Sequence, residues 1–172
     1  DNQGNVFVAG KTYSSDMPST AGAYDTVYDG DDDGFIAKFD NDLKNLSALT
    51  YLNGKTKSEE EIYGIILDNS GNVFVTGSTS SKDFPTTSGA YDRVYKSGGS
   101  DVFVSKFSSD LKTLKASTFL GGGQDDCGRD IQIDGSGNLW ITGWVYNSYG
   151  TGDFPVTSDA YDKIFNGGHK DA

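Results

Sequence analysis

The chain has 172 residues and a formal net charge of −11, from 25 acidic and 14 basic residues, and it contains one cysteine. The negative charge argues against a nucleic-acid partner. A single cysteine excludes an internal disulfide, and no apolar run approaches the ~18 residues of a membrane span. Glycine occurs 23 times beside ten Tyr and ten Phe, which favours short strands joined by tight turns.

A ten-residue segment at the start of the chain recurs twice. Its copies begin at Asp1, Asp68 and Asp134, so the offsets are 67 and 66 residues. Three further markers follow in constant order: Asp-x-Pro at 16–18, 83–85 and 153–155; Ala-Tyr-Asp at 23–25, 90–92 and 160–162; Asp-x-Phe-x-x-Lys-Phe at 33–39 and 101–107. The chain is therefore a tandem repeat with a period of about 67 residues, present in about two and a half copies.

The sequence of each repeat unit predicts four strands. In the middle copy these are Tyr63–Asp68, Asn72–Thr79, Asp101–Phe107 and Leu114–Leu120. The Asp-x-x-Gly-Asn sequence between the first two is typical of a hairpin turn, since Gly accepts the left-handed conformation that such a turn requires.

The strands carry apolar side chains on both faces, as in Val-Phe-Val and Phe-Ile-Ala. This pattern indicates small sheets that are covered on both faces. Four short antiparallel strands in each stacked repeat are typical of a β-propeller blade. The predicted fold class is thus all-β, with a partial blade at 1–58, a complete blade at 59–123 and a partial blade at 124–172. Because propellers close with typically 4–8 blades, we expect an incomplete ring from a larger propeller, whose partners are the remaining blades or neighbouring subunits.

The segment between the second and third strands, residues 80–100, is long for a connection. Its sequence predicts a short helical turn over residues 90–95. Aromatic residues recur on it in each copy, and they favour a hydrophobic plug over a row that stacks sugars or anchors a protein: Tyr24, Tyr91 and Tyr161, and then Tyr28, Tyr95 and Phe165.

The acidic turn Asp29–Gly34 spaces its carboxylates as an EF-hand loop does. No helices flank it, and the repeat register assigns residues 35–39 to a strand. The hypothesis is therefore limited to a calcium ion held by Asp29, Asp31 and Asp33, with a solvated acidic turn as the alternative.

Other candidate residues carry weaker signals. Paired acids precede the first strand, as Glu59–Glu61 and Asp125–Asp126; we expect them to point apart into water rather than to serve glycoside hydrolysis or a weak cation site. His169 is the only histidine, so neither a zinc site nor a catalytic triad can be assembled. Cys127 is expected to be a small buried residue, and Gly121–Gly123 a turn between blades.

Together these segments resemble the SBBP family of β-propeller repeats. The residues that carry the resemblance include Asp68–Gly77, Asp83–Pro85, Gly89–Asp92, Asp101–Phe107 and Ser117–Gly122. The resemblance implies large bacterial or archaeal proteins that are mostly secreted or surface-attached. It implies no common activity and no catalytic residues.

The expected function is a non-catalytic structural or interaction module of a secreted or cell-surface protein, which presents a rigid surface to a protein or polysaccharide. No cofactor is required by this interpretation, apart from the calcium considered above. Two alternatives remain open: a glycoside hydrolase or lyase whose site lies in other blades, and a calcium-stabilised adhesin or filament subunit.

Overall fold

The computed structural model of the protein describes residues 1–29, 31–56, 58–96, 98–146 and 154–165, and the backbone of 170–171. Within these ranges it contains ten strands and no helix. The strands are β1 (Val6–Thr12), β2 (Asp33–Phe39), β3 (Leu46–Leu52), β4 (Glu60–Leu67), β5 (Val73–Thr79), β6 (Asp101–Phe107), β7 (Leu114–Leu120), β8 (Asp126–Ile133), β9 (Leu139–Tyr146) and β10 (Lys170–Asp171).

The strands form three antiparallel sheets, with the orders β1-β2-β3, β4-β5-β6-β7 and β10-β9-β8. We call them the first, middle and third sheet. The all-β prediction is confirmed, and the sheets do not close a ring within the described residues. The repeat markers fall at equivalent places in each sheet, as expected for a propeller-like array. The exact bounds of the predicted blades, 1–58, 59–123 and 124–172, stay a prediction.

The middle sheet follows the predicted strands closely, except at its first strand. β6 and β7 have the predicted bounds, whereas β4 begins at Glu60 rather than Tyr63. The register of β4 on β5 shifts between Ile62 and Gly64, so Tyr63 is a bulge residue. The third sheet has the same irregularity between Gly128 and Asp130. A bulge interrupts the alternation of side chains, and the acidic start of the strand therefore resembled a loop.

The hairpin turn at each sheet explains the Asp-x-x-Gly-Asn marker. Asp68 Oδ1 accepts hydrogen bonds from the backbone N–H groups of Ser70 and Asn72, at 2.9 and 2.8 Å. Gly71 has a φ of 77°, which Gly adopts without strain. Asp1 and Asp134 accept the corresponding bonds in the other two sheets. These bonds favour the carboxylate, and the pKa of Asp134 is lowered to about 2, chiefly by Asn138.

The long segment after the second strand is irregular rather than helical, so the predicted helical turn over residues 90–95 is wrong. Its backbone pairs with the outer strand of its own sheet instead. Thr87 N–H donates to the Ser117 carbonyl at 3.0 Å, and Phe119 N–H donates to the Asp92 carbonyl at 3.1 Å. Thr20–Leu49 and Tyr51–Asp25 make the same two bonds in the first sheet. The segment thus covers an edge that would otherwise expose unpaired backbone groups.

The sheets stack face to face around a common core. β4 lies against β1 and β2 of the first sheet, and β8 lies against β4, β5 and β6 of the middle sheet. Core residues come from both sides of the first contact, including Ile36, Leu52, Ile62, Phe107 and Leu111. Burial of these side chains drives the stacking of repeats. No helix of the described residues is long and apolar enough to cross a membrane.

Candidate functional site

The two first strands of the repeat that the structure describes, β4 and β8, each begin with an acid that is buried rather than solvated. Glu60 and Asp126, which we call the junction acids, are each 1% exposed. The sequence predicts that these acidic clusters point apart into water, but only Glu59 of the triple Glu59–Glu61 is exposed. The expectation fails because the partners of the junction acids come from other strands and from the preceding sheet.

Each junction acid joins its sheet to the one before it. The Glu60 N–H donates to the Asp32 carbonyl at 2.8 Å, and the Asp126 N–H donates to the Ser100 carbonyl at 2.6 Å. The Asp126 carboxylate also accepts the N–H of Gly122, at 2.6 Å. The equivalent glycine one repeat earlier, Gly54, is a hydrogen-bond donor to Glu60. Gly121–Gly123 is therefore a turn between sheets, as predicted.

The Glu60 carboxyl group lies in a polar pocket of hydroxyl groups. Its Oε1 accepts hydrogen bonds from Thr79 Oγ1 at 2.8 Å and Ser58 Oγ at 3.1 Å. Burial raises its pKa to about 7, against the hydrogen bonds, which favour the charged form. A carboxyl group with this pKa has the property of a general acid, but its burial keeps substrate away. We therefore assign Glu60 to the joint between sheets.

A second group of charged residues links all three sheets, and we call it the first-strand cluster: Lys11, Asp32, Glu61, Tyr63 and Arg129. Lys11 Nζ lies 3.3 Å from Glu61 Oε2 and 3.6 Å from Asp32 Oδ2. Tyr63 donates its hydroxyl to the same Glu61 oxygen, and the Arg129 guanidinium lies 4.1 Å from the centroid of the Tyr63 ring.

The charges of this cluster satisfy one another. Partial burial lowers the pKa of Lys11, but the hydrogen bond and charge of Glu61 outweigh it, and the net change is upward. Burial, followed by the bond to Glu61, raises the pKa of Tyr63 to about 12. Lys11 and Tyr63 thus remain protonated near neutral pH and act as donors to Glu61. This arrangement fastens sheets together and provides no free base or nucleophile.

Of the three predicted calcium residues, Asp29 and Asp31 precede β2, and Asp33 is its first residue. Asp33 is 1% exposed, and its Oδ2 accepts hydrogen bonds from Asn53 Nδ2 at 2.6 Å and from the Asp29 N–H at 3.0 Å. Asp31 is exposed, and its carbonyl accepts the Tyr28 hydroxyl. Within the described ranges, no three Asp, Glu, His or Cys side chains are placed to hold a metal ion.

A comparison of two repeats shows what Asp33 does. Asp101, one repeat later, is also 1% exposed and accepts the N–H of Lys96 at 2.9 Å, although its turn lacks the other acids. Gly121 is the repeat equivalent of Asn53, the residue that donates to Asp33. A Cβ on Gly121 would lie 2.8 Å from Asp101 Cγ, so a glycine at this position leaves room for the Asp101 carboxylate. Asp33 therefore ties the end of the long segment to the residue after β3, and Asp101 accepts a backbone N–H of the same segment one repeat later. The calcium hypothesis for Asp29, Asp31 and Asp33 stays a prediction.

The repeated aromatic residues of the long segments divide into two groups. Tyr28 packs on Tyr51 and Tyr95 on Phe119, with ring centroids 6.1 and 6.2 Å apart, so they attach the segment to the outer strand. Tyr24 contacts Phe107 of the next sheet at 5.5 Å. The plug interpretation holds for these three. The counterparts of Tyr24 in the next two repeats, Tyr91 and Tyr161, are 72% and 108% exposed.

An exposed aliphatic residue that the sequence patterns did not single out recurs on the same segments. Val27, Val94 and Ile164, which we call the aliphatic row, are 55%, 62% and 73% exposed. Each lies two residues after an aspartate whose carboxylate accepts its N–H, at 2.9, 2.9 and 3.0 Å. The signal was present in the sequence, two positions beyond each Ala-Tyr-Asp marker.

Two candidate residues of the sequence remain, Cys127 and His169. Cys127 is 2% exposed, as expected for a small buried residue. His169 and Asp153 lie outside the described residues.

Comparison with known proteins gives one match. The profile of the family described as "SBBP: Beta-propeller repeat" matches residues 50–85, a span from the end of β3 through β4 and β5 to the Asp-Phe-Pro marker. Over these residues the resemblance seen in the sequence is confirmed. No curated protein compared with the chain gives a match. The match covers 36 of the 172 residues, and together with the three antiparallel sheets it is consistent with a propeller-like repeat fragment, which suggests a structural repeat module.

Proposed function

We propose that the chain is a non-catalytic interaction module of a secreted or cell-surface repeat protein, in which stacked blades hold a rigid surface towards a partner. The supporting features are the joints described above. Buried carboxyl groups and charge clusters, which other folds use for catalysis, connect one sheet to the next here. A rigid array gains affinity by presenting equivalent contacts at fixed spacing.

The aliphatic row is the observation that carries this proposal. Val94 lies on the segment between β5 and β6 of the middle sheet, which has a neighbouring sheet on both sides, and it is still 62% exposed. Other apolar side chains of that sheet, such as Val73 and Val75, are 0% exposed. Stacking therefore does not bury this position, and each repeat exposes one aliphatic side chain on its long segment.

The chemistry of the row favours a protein partner. Branched aliphatic side chains form dry contacts with apolar groups of a protein, whereas sugars are stacked by aromatic rings. The exposed rings of Tyr91 and Tyr161 represent the polysaccharide alternative. Because the two sets differ in sequence position, substitutions can separate the two partners.

The proposal is tested by probing the chain against immobilised surface-protein and glycan libraries. We compare the natural chain with Val94→Asp and with Ser70→Asp, a control that adds the same charge at an exposed hairpin turn. The expected result is protein binding that Val94→Asp weakens by about tenfold or more and Ser70→Asp leaves unchanged. Binding to glycans that only Tyr91→Ala removes would favour a polysaccharide partner, and cleavage of a glycan would overturn the non-catalytic assignment.

A further inference from the structure

Two neighbouring long segments of the chain differ in charge. The segment between β1 and β2, residues 13–32, contains five aspartates and no lysine or arginine. The segment between β5 and β6, residues 80–100, contains only two aspartates beside three cations, Lys82, Arg93 and Lys96. We call them the acidic segment and the basic segment. The basic segment is thus a local exception in a chain whose net charge is −11.

The two aspartates of the basic segment are engaged inside the chain. Asp83 Oδ1 accepts a hydrogen bond from Ser81 Oγ at 2.7 Å. Asp92 Oδ1 accepts the Val94 N–H at 2.9 Å, and its Oδ2 lies 2.8 Å from Lys96 Nζ. The negative charge of this segment therefore faces its own backbone and side chains rather than a partner.

Other charged side chains of the two segments face solvent. Lys82 and Arg93 of the basic segment are exposed, and so are Asp16 and Asp31 of the acidic segment. Among the described residues, none of these four side chains takes part in an ion pair, and no ion pair joins one segment to the other. Their complementary charges are therefore available to another molecule.

Each segment also exposes a member of the aliphatic row beside these charges. Val27 and Val94 are 55% and 62% exposed, and Val94 directly follows Arg93. The backbone next to both valines is held in place, because β3 and β7 donate hydrogen bonds to the carbonyls of Asp25 and Asp92. A contact made here therefore has little further backbone to order, which favours binding.

The two segments together are self-complementary. They lie on the outer strands of the first and middle sheets, which pack against each other. In a two-fold dimer every contact occurs twice, since residue i of one copy meets residue j of the other and the reverse. The acidic segment of each copy then meets the basic segment of the other, and both halves of the contact are present in every chain.

The net charge of the chain does not prevent this contact at moderate salt. The Debye length is about 8 Å at about 0.15 M ionic strength. Charges elsewhere on the two chains are therefore largely screened from each other, whereas side chains in contact are not. Salt should weaken the contact only at much higher concentration.

We propose that the aliphatic row binds a second copy of this chain, in a two-fold dimer that pairs the acidic segment of each copy with the basic segment of the other. Arg93 and Asp31 make the charge contact, and Val27 packs against Val94. The inference rests on the proposed function, since it names the partner of the same row.

Sedimentation velocity tests this proposal on the chain in about 0.15 M NaCl with EDTA, up to about 1 mM protein. We expect a reversible dimer with a dissociation constant below about 1 mM, as suits a small contact. Arg93→Glu and Asp31→Arg, both at exposed positions, should each raise this constant at least about tenfold. Lys44→Glu makes the same charge change as Arg93→Glu at an exposed turn and should leave it unchanged.

An equimolar mixture of Arg93→Glu and Asp31→Arg separates a lost contact from a damaged fold. In the mixed dimer one contact joins the two substituted positions, with their charges reversed, and the other joins the natural Arg93 and Asp31. The mixture should therefore dimerise about as well as the natural chain, although neither variant does so alone.

A chain that stays monomeric at about 1 mM would overturn the inference. A dimer that both charge variants leave intact, or a mixture that stays monomeric, would overturn it as well. A dimer that forms only when calcium replaces EDTA would also contradict it, because calcium would then bridge the acids. None of these results bears on a different protein partner, since the library experiment changes Val94 and measures binding to other molecules. Failure of one proposal is thus distinguishable from failure of the other.

Discussion

Leu43 and Leu111 adopt the same left-handed backbone conformation one repeat apart, yet Leu43 is 62% exposed and Leu111 is 0% exposed. The turn alone therefore does not decide whether its leucine is buried. Burial comes from the neighbouring sheet, whose groove around Tyr24 receives Leu111. Val6 and Val8 of the first sheet are likewise 40% and 42% exposed where their equivalents Val73 and Val75 are fully buried.

This pair gives a matched test of how much stacking stabilises the chain. Leu111→Ala should lower the free energy of unfolding by about 3 kcal/mol, because it empties a filled groove. Leu43→Ala should change it by less than about 0.5 kcal/mol. Both leucines have the same backbone strain, so that cost cancels. Urea denaturation measures both values, and equal losses would show that the groove does not hold Leu111.

The raised pKa of Glu60 predicts a pH-dependent stability. The folded state keeps the carboxyl group protonated up to about pH 7, whereas its ordinary value is 4.5. The contribution of Glu60 to the free energy of unfolding is therefore fully present below pH 4.5 and falls as the pH rises towards 7. Above pH 7 the free energy of unfolding stays lower by about 3 kcal/mol.

Glu60→Gln replaces the protonated form and should remove this decline. The measurement is the difference in unfolding free energy between pH 5 and pH 8 for the natural chain, for Glu60→Gln and for the exposed control Glu59→Gln. The control should keep the pH dependence of the natural chain. A decline that persists in Glu60→Gln would mean that another group causes it.

A close approach of the backbone requires the glycine that ends the Val-Phe-Val-Thr-Gly marker. A Cβ on Gly77 would lie 1.9 Å from the Glu61 carbonyl oxygen, and one on Gly143 would lie 1.9 Å from that of Cys127. Gly77→Ala should therefore cost at least about 3 kcal/mol, since the bulged backbone of β4 has to move. Gly135→Ala meets nothing within 4 Å and should be neutral. Thermal unfolding followed by circular dichroism compares the two, and a harmless Gly77→Ala would refute the close approach.

A calcium site and a turn held by the hydrogen bonds of Asp33 predict different effects of substitutions in the acidic turn. Asp33→Ala should lower the melting temperature even in excess chelator, because the Asn53 amide and the Asp29 N–H lose their acceptor. Asp31→Ala should have little effect in chelator, since Asp31 is exposed. A rise in melting temperature with millimolar calcium that Asp31→Ala removes would establish the predicted ion.

The sequence predicts the strands where alternation is regular and fails where other parts of the chain intervene. β6 and β7 are predicted to the residue because turn residues bound their apolar runs. The bulge at Tyr63 hides the start of β4, and the helical turn over residues 90–95 fails because the segment pairs with the edge of β7. The junction acids look solvated because Gly54, Thr79 and Gly122, their partners, lie in other elements.

Hydrogen exchange at two equivalent amides of the unextended chain tests the stacking of repeats most directly. The Tyr24 N–H donates to the carbonyl of Leu111 in the β6–β7 turn, whereas Tyr91 lines an open cavity and its N–H has no backbone acceptor among the described residues. We predict that Tyr24 exchanges at least about tenfold more slowly than Tyr91. Equal exchange rates at the two tyrosines would contradict the account.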